Sequence, residues 1–252
     1  MSEHDIVAGL AGLAAEPPAD LLDRIAARWV KVPGPIGDLY VASTDVGVAY
    51  VRTAESVGGD TARFAAQFRD RVARPLLPGT RPPAGVLPAL RTGRTGDLRF
   101  DLSAVSGFER EVLEATATIP RGQVRPYAWI AREIGNPKAV RAVGTALRRN
   151  PVPILIPCHR VVRSDGATGE YVFGADTKLR LLGGEGVDLD GLTDLARHGV
   201  HYLASDTTGV VCLPTCANAR RITPAHRHGF KTLGQAERAG YRPCRVCRPG
   251  AA

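Results

Sequence analysis

The sequence GNPKAVRAVGTALRRNPVPILIPCHRVV, residues 135–162, carries the strongest structural signals in the chain. Asn136 is a favoured N-cap residue and Pro137 is favoured at the first helical position, so the stretch predicts a helix over 137–149. A shorter helix is expected just before it, over 127–134. Two short helices around a Gly-Asn-Pro turn are typical of a helix-turn-helix, although an ordinary helical hairpin would show the same pattern.

A candidate nucleophile, Cys158, stands at the end of this stretch, followed by His159 and Arg160. A reactive cysteine must be partly thiolate, and a nearby imidazole can take its proton while positive charge favours the anion. Neighbouring residues of an extended segment point to opposite sides, so His159 would need a water or a turn to reach the sulfur. Glu185 is a candidate to orient the imidazole, on chemical grounds only. An inert buried cysteine remains the alternative.

The first third of the chain shows no obvious chemistry. Residues 1–30 are predicted as a helical leader whose apolar stripe includes Trp29. Residues 31–95 are predicted as a small α/β lobe followed by a connector rich in Pro and Gly. Within the lobe, strand signals on both sides of Gly47 predict a hairpin, and Asp60 is placed to cap a helix.

The middle of the chain is predicted to be helical. Ser106 and Glu109 have capping-box spacing, so a helix is expected to begin near Gly107. A later helical stretch is expected to end near Gly183. No glycine-rich phosphate loop occurs in the sequence, which disfavours nucleotide-binding enzymes.

The composition is that of an ordinary soluble globular protein, with 252 residues, 44% apolar and 23% charged. There is no apolar run long enough for a membrane span and no basic leader before an apolar core, so we expect a cytoplasmic protein. The net charge is +8. A basic cluster suits phosphate contacts, although a solvated face would give the same excess. Its members are Arg121, Arg125, Arg132, Lys138, Arg141, Arg148, Arg149, Arg160 and Arg163.

The stretch from Phe108 to Gly186 closely resembles the O6-alkylguanine-DNA alkyltransferase family. The resemblance is carried by Ile119-Pro120-Arg121-Gly122, Tyr127, Gly135-Asn136-Pro137-Lys138, Arg141-Ala142-Val143-Gly144, Asn150-Pro151-Val152-Pro153 and Pro157-Cys158-His159-Arg160. It implies an α+β fold in which a small RNase H-like α/β lobe precedes a helical alkyltransferase domain (96–192) with a helix-turn-helix. It also implies an irreversible, single-turnover transfer of the alkyl group of O6-alkylguanine, with O4-methylthymine as a further candidate substrate.

The same resemblance implies the catalytic roles. Cys158 would accept the alkyl group, and His159 would act as general base through a water molecule. Glu185 would orient His159, and Asn150 would steady the turn that carries the cysteine.

The resemblance further implies how DNA is held. Tyr127 would help to rotate the damaged nucleotide and donate a hydrogen bond to O6, and Arg141 would fill the gap left in the duplex. The backbone carbonyls of Cys158 and Val161 would bind the exocyclic amine of guanine, and Tyr171 would wall the pocket. The expected partner is double-stranded DNA with alkylated bases, bound by a monomer, with no membrane association and no organic cofactor.

The other four cysteines form two close pairs, Cys212 with Cys216 and Cys244 with Cys247. This spacing fits a tetrahedral zinc site, and a small unit (197–250) poor in large apolar side chains would need such a metal for stability. Disulfides and free thiols are the alternatives, but an odd number of cysteines without a secretion signal disfavours disulfides.

Residues 201–249 also resemble the zinc-binding domain of the Ada adaptive-response protein. The resemblance is carried by Thr207-Thr208-Gly209, Cys212, Pro214, Cys216, Arg220-Arg221 and Ala239 to Pro249. It implies a zinc-stapled α/β domain in which Cys212 accepts a methyl group from a DNA methylphosphotriester. Leu213 stands where the family has Arg, so a zinc-stapled DNA-binding module without methyl transfer remains open.

Three further functions compete with this interpretation. A lesion-binding protein that only flags damage would lack the acceptor, and Cys158 counts against it. A zinc-linked regulator would change its promoter binding when Cys212 is methylated. A cysteine hydrolase would cleave acyl substrates.

Overall fold

The computed structural model describes residues 18, 21–165 and 167–250. Most of the predicted leader lies outside these residues, and its described part begins with a short helix, α1 (Leu21–Ile25). The prediction that the helical stripe includes Trp29 is wrong. Trp29 lies in a strand, paired with Ala42, because its ring packs edge-on against Tyr40 at 5.4 Å in the core of the first lobe.

The first lobe is a four-stranded sheet with one helix. The sheet has the order β3-β2-β1-β4, where β1 pairs with β2 and β2 with β3 antiparallel, and β4 joins β1 in parallel. The strands are β1 (Ala27–Gly34), β2 (Gly37–Ser43), β3 (Val48–Thr53) and β4 (Leu76–Pro78). The hairpin expected around Gly47 is therefore confirmed.

Helix α2 (Thr61–Val72) covers one face of this sheet. The predicted cap is confirmed, since the Asp60 carboxylate accepts a hydrogen bond from the Ala62 N–H at 2.7 Å. Phe64 and Phe68 are fully buried against the aromatic residues of the sheet. The lobe thus has its own aromatic core.

The central part of the chain is helical. Its helices are α3 (Val86–Thr92), α4 (Gly107–Ala117), α5 (Tyr127–Glu133), α6 (Val140–Arg148), α7 (Ala175–Gly184) and α8 (Leu189–Arg197). The predicted capping box is confirmed, because the Ser106 hydroxyl accepts from the Glu109 N–H and the Glu109 carboxylate accepts from the Ser106 N–H. Across the described ranges, we find no helix with the length and apolar character needed to span a bilayer.

Helix α6 begins three residues later than the sequence predicts, and Asn136 does not cap it. The N–H of Asn136 donates to the carbonyl of Ala131 at 2.9 Å, so this residue closes α5 instead. A turn then runs to Ala139, whose N–H donates to the Asn136 carbonyl at 3.0 Å. The two helices still follow one another around a short turn, as in the predicted helix-turn-helix.

The C-terminal unit is a second small sheet with helix α9 (Leu233–Arg238). Its strand order is β10-β8-β7-β9, and its strands are β7 (Tyr202–Ser205), β8 (Val210–Cys212), β9 (Arg227–Phe230) and β10 (Arg242–Pro243). A parallel pair, β5 (Arg125–Pro126) with β6 (Val161–Val162), lies in the central part. The mixture of helices and two separate mainly antiparallel sheets confirms the predicted α+β class.

Candidate active site and metal centre

Cys158 begins a single 3-10 turn, Cys158–Arg160, and its side chain is buried. The fully buried Asn150 amide fixes this turn. It donates to the carbonyl of Ile156 at 3.0 Å and to the Cys158 sulfur at 3.2 Å, and its oxygen accepts from the Val152 N–H at 2.9 Å. One side chain therefore sets both the path of the backbone and the position of the thiol.

Burial raises the pKa of the Cys158 thiol to about 11, while the Asn150 hydrogen bond and the positive charges of Lys178 and Arg52 oppose this rise. The cation expected from the sequence, Arg160, does not serve this purpose. Its guanidinium donates to Glu185 and to the carbonyl of Ile119. The resting thiol therefore needs a base to become a nucleophile.

His159 is the base nearest in sequence, and its ring is buried. Its Nε2 lies 3.0 Å from Oε1 of Glu185, while Nδ1 is buried without a hydrogen-bond partner. Burial lowers the pKa of His159, and the hydrogen bond and charge of Glu185 partly offset this effect. A neutral ring that donates from Nε2 to the carboxylate leaves Nδ1 free to accept a proton.

Glu185 directly follows α7, and its carboxylate accepts hydrogen bonds from three residues. His159 and Arg160 bind its oxygens, and the Gly122 N–H donates to Oε2 at 3.1 Å. Although burial opposes it, the hydrogen bonds and charges of His159 and Arg160 lower the pKa of Glu185 to about 2. The carboxylate is ionised at neutral pH, as a residue that orients an imidazole must be.

A cavity of about 330 Å³ opens onto Cys158. The residues lining it are Tyr127, Arg141, Gly144, Thr145, Leu147, Arg148, Cys158, Arg163, Gly169, Glu170 and Tyr171. Gly169 has a φ of 71°, and a Cβ there would lie only 3.0 Å from the Tyr127 hydroxyl, so the glycine makes room for the tyrosine. The Tyr171 hydroxyl is buried without a hydrogen-bond partner. The cavity is large enough for an extruded nucleobase.

Val161, which was predicted to bind the base, does not line this cavity. It is buried in β6, and its carbonyl accepts a hydrogen bond from Lys178 Nζ at 2.6 Å. Lys178 itself was not predicted. Burial lowers its pKa to about 8, and the charge of Cys158 opposes this shift. A lysine inside the apolar stretch of α7 was the available signal.

The four C-terminal cysteines meet as predicted. All four are buried free thiols, and their sulfurs lie within 4.8 Å of one another. A tetrahedral zinc–thiolate site has sulfur–sulfur distances of about 3.8 Å, so the cluster fits the ion. Backbone and side-chain donors point at the sulfurs, as in the 3.4 Å contacts from Leu213 N–H to Cys247 and from Asn218 to Cys244. Such donors suit thiolates, which accept hydrogen bonds.

Of these four residues, Cys212 alone lines a second cavity, of about 520 Å³. The other lining residues are polar or basic for the most part: Ser205, Thr207, Thr208, Val210, Asn218, Arg221, Ile222, Thr223, His226 and Arg242. Two arginines and several hydroxyls facing one sulfur form a site suited to a phosphate group.

The packing of the metal unit against the helical part was not predicted from the sequence. The Trp129 indole N–H donates to the carbonyls of Cys247 and Arg248 at 2.9 and 3.0 Å, and Arg248 pairs with Glu133 at 2.5 Å. The Thr215 hydroxyl accepts a hydrogen bond from the Val124 N–H and donates one to the Val124 carbonyl.

Two members of the predicted basic cluster are not available for phosphates. Arg125 and Arg160 are 2% and 3% exposed. Burial lowers the pKa of Arg125, while the charge of the cysteine cluster opposes this shift. Its guanidinium donates to the Val124 carbonyl and to Gln123 Oε1. The remaining members still give the helical part a basic surface.

Two family models match the chain. One, described as "6-O-methylguanine DNA methyltransferase, DNA binding domain", covers residues 107–187, and the other, "Metal binding domain of Ada", covers residues 193–250. Among solved structures, O6-methylguanine methyltransferase from Mycobacterium tuberculosis is 30% identical. The alignment covers 63% of this chain and 92% of that one, with a TM-score of 0.51. The chain belongs to the O6-methylguanine DNA methyltransferase family.

Curated members of this family match over shorter stretches. The methylated-DNA–protein-cysteine methyltransferase of Methanothermobacter thermautotrophicus is 43% identical over 100 residues, which is 38% of this chain and 56% of that protein. The rat protein of the same name is 54% identical over 82 residues, 32% of this chain and 39% of its own length. The chain thus spans about half or less of these relatives. Its C-terminal unit is a zinc-binding domain, by its family match and its cysteine cluster.

Proposed function

We propose that this chain repairs double-stranded DNA by transferring the alkyl group of O6-alkylguanine to its own Cys158. The observation that carries the proposal is the placement of that thiol. It lies on a base-sized cavity, held by Asn150, beside a His159–Glu185 pair whose Nδ1 has no partner. The similar M. tuberculosis OGT, 29% identical, has been solved in complex with DNA.

The chemistry divides between three side chains. His159 Nδ1 takes the thiol proton through a water molecule, and Glu185 stabilises the imidazolium that results. The Cys158 sulfur then attacks the alkyl carbon. The S–C bond forms as the C–O6 bond breaks, and the electron pair of that bond goes to O6.

Tyr127 donates a hydrogen bond to O6, which stabilises the negative charge that develops there, and the departing guanine then takes a proton from solvent. Burial and the charge of Cys158 raise the pKa of the Tyr127 hydroxyl, so it stays protonated and able to donate. No group at the site can break the thioether of Cys158, so each molecule acts once. O4-methylthymine, smaller than guanine, is a further candidate substrate for the same cavity.

DNA would be held by the helix-turn-helix formed by α5 and α6. Arg141 and Arg148 stand on α6 at the rim of the cavity, where the first could fill the gap left by an extruded nucleotide. The basic surface beside them suits phosphate contacts. A monomeric state and a cytoplasmic location stay predictions from the sequence.

The proposal is tested with a duplex that carries one O6-methylguanine, mixed with protein at several molar ratios. We expect methyl loss from the DNA to stop at one lesion per protein molecule, and Cys158→Ser to bind the duplex without removing methyl. Repair by that variant, or repeated turnover by the wild type, would contradict transfer to Cys158.

We propose a second acceptor, Cys212, for the methyl group of a DNA methylphosphotriester. The supporting observation is that Cys212 is the one ligand facing the cavity that holds Arg221 and Arg242. A zinc ion held by the four cysteines would keep their sulfurs as nucleophilic thiolates. The test is a duplex with one methylphosphotriester. We expect a methyl group on Cys212 and none on Cys216, and an unmodified Cys212 would leave only a DNA-binding module.

A further inference from the structure

The loop of residues 120–124 lies between the candidate active site and the zinc-binding unit. Gly122 makes the contact on both sides. Its N–H donates to Glu185 Oε2 at 3.1 Å, and its carbonyl accepts a hydrogen bond from the Arg220 guanidinium. With a φ of 72°, and with the Glu185 carbonyl 2.8 Å from where a Cβ would stand, only glycine suits this position.

Arg220 is tied in turn to the metal centre. It lies in the 3-10 turn Ala219–Arg221, and its N–H donates to the carbonyl of Cys216 at 3.1 Å. Cys216 is one of the four residues of the cysteine cluster. A continuous series of hydrogen bonds therefore runs from a cysteine of the cluster through Arg220 and Gly122 to the carboxylate that binds His159.

A second contact holds the same loop against the zinc-binding unit. The buried Thr215 hydroxyl accepts from the Val124 N–H at 3.0 Å and donates to the Val124 carbonyl at 3.1 Å. Thr215 immediately precedes Cys216, so both contacts depend on one cysteine loop. On the other side, Arg121 donates to the carbonyls of Arg91 and Gly184, which fixes the loop to the helical part.

We propose that Arg220 is a positioning residue for transfer to Cys158: through Gly122 it holds the Glu185 carboxylate toward His159, so that the folded zinc-binding unit sets the reactivity of the other site. This rests on the proposed O6-alkyl transfer. The Arg160 guanidinium donates to both oxygens of Glu185. The Gly122 N–H, in the loop of residues 120–124, also donates to Oε2. When Arg220 no longer holds Gly122, the Glu185 carboxylate loses the Gly122 N–H and turns toward Arg160. The contact between Glu185 and His159 then weakens.

The expected change is in the basicity of His159. Glu185 raises the pKa of His159 against the effect of burial, so a weaker contact lowers that pKa further and makes the ring a poorer base. The other ionisable groups around the ring are Cys158, Arg160, Tyr171 and Lys178, with Arg121 and Arg180 lining the same cavity as His159. Among the described residues, Arg220 forms hydrogen bonds with the backbone of Gly122 and Cys216 and with none of these side chains, so its replacement acts through Gly122 and Glu185.

The test uses Arg220→Met in the full-length, zinc-loaded protein. Arg220 is exposed, so the variant should fold, and equal zinc content and melting temperature would confirm this. Arg238→Met, on the exposed side of α9 in the same unit, is the matched control. Single-turnover transfer from an O6-methylguanine duplex is measured across pH. The His159 ring is titrated by NMR in the free protein.

We expect Arg220→Met to slow transfer about threefold to tenfold, the effect of about one hydrogen bond. The acid limb of the pH–rate profile of this variant and the titration of its His159 ring should both move to lower pH. Arg220→Lys should restore part of the rate, and Arg238→Met should match the wild type. A folded Arg220→Met protein with the wild-type rate and His159 titration would overturn the proposal while leaving the proposed function intact. A wild type that transfers nothing would contradict the function, and the NMR titration would still test the contact.

Discussion

His159 Nε2 lies 3.0 Å from Glu185 Oε1, and this contact leaves the other ring nitrogen buried without a partner. A buried imidazole nitrogen without a hydrogen-bond partner destabilises the folded state, so its presence calls for a functional explanation. Here it is the group able to accept the proton of Cys158, whose own pKa is raised to about 11 by burial. The candidate site thus holds a neutral thiol and a base oriented to activate it.

Glu185→Gln should slow transfer at least about tenfold, because general-base catalysis is weakened when the imidazolium loses its counter-charge. Glu185 raises the pKa of His159, so the acid limb of the rate should move to lower pH in the variant. Single-turnover rates across pH provide the measurement. Glu114→Gln, an exposed substitution on α4, is the control and should leave the profile unchanged.

The stability of the protein toward acid should also depend on Glu185. Its pKa is lowered to about 2, below its ordinary value of 4.5, so the carboxylate stabilises the fold above about pH 4.5. That contribution is lost as the pH falls from 4.5 toward 2. Urea unfolding at each pH should show Glu185→Gln less stable than the wild type at neutral pH, with a difference that shrinks in this range. A constant difference would contradict the assigned ion pair.

Lys178→Met should raise the pKa of the Cys158 thiol further, because the charge of Lys178 favours the thiolate. The rate at which iodoacetamide modifies Cys158, followed by peptide mass across pH, measures this. Lys31→Met removes an exposed lysine of the first lobe and should have no effect. If Lys178→Met left the profile unchanged, the lysine would act only through its hydrogen bond to Val161.

Removal of zinc should loosen the contact between the two units. Trp129 reports on this contact, because its indole N–H donates to the carbonyls of Cys247 and Arg248. In a Trp29→Phe background, a chelator should shift the fluorescence of Trp129 to the red, and added zinc should reverse the shift. If the emission of Trp129 did not change when the chelator was added, the contact between the two units would not require the metal.

Local features of the fold follow from the sequence because they depend on neighbouring residues. The caps at Asp60 and Ser106 and the cysteine pairs are of this kind. The prediction that Asn136 caps the second helix was wrong, because a residue between two helices can end the first or begin the second. Only its contact with the Ala131 carbonyl decides between these.

The candidate site was predictable where the family motif holds its residues together, as in Cys158 and His159. Buried charges were not predictable, because their partners lie far along the chain. Arg160 meets Glu185, and Arg125 lies beside Trp129, its guanidinium carbon 5.5 Å from the ring centroid. Sequence alone counts both as surface charges, since arginine is rarely buried without partners.

The account depends most directly on where the methyl group goes. The deciding measurement is peptide mass mapping of the full-length protein after incubation with a duplex that bears one O6-methylguanine. We predict a gain of one methyl group on Cys158, none on the four cysteines of the metal cluster, and no gain anywhere in Cys158→Ala. An unmodified Cys158 in folded protein bound to the lesion would contradict the account and favour a protein that only flags damage.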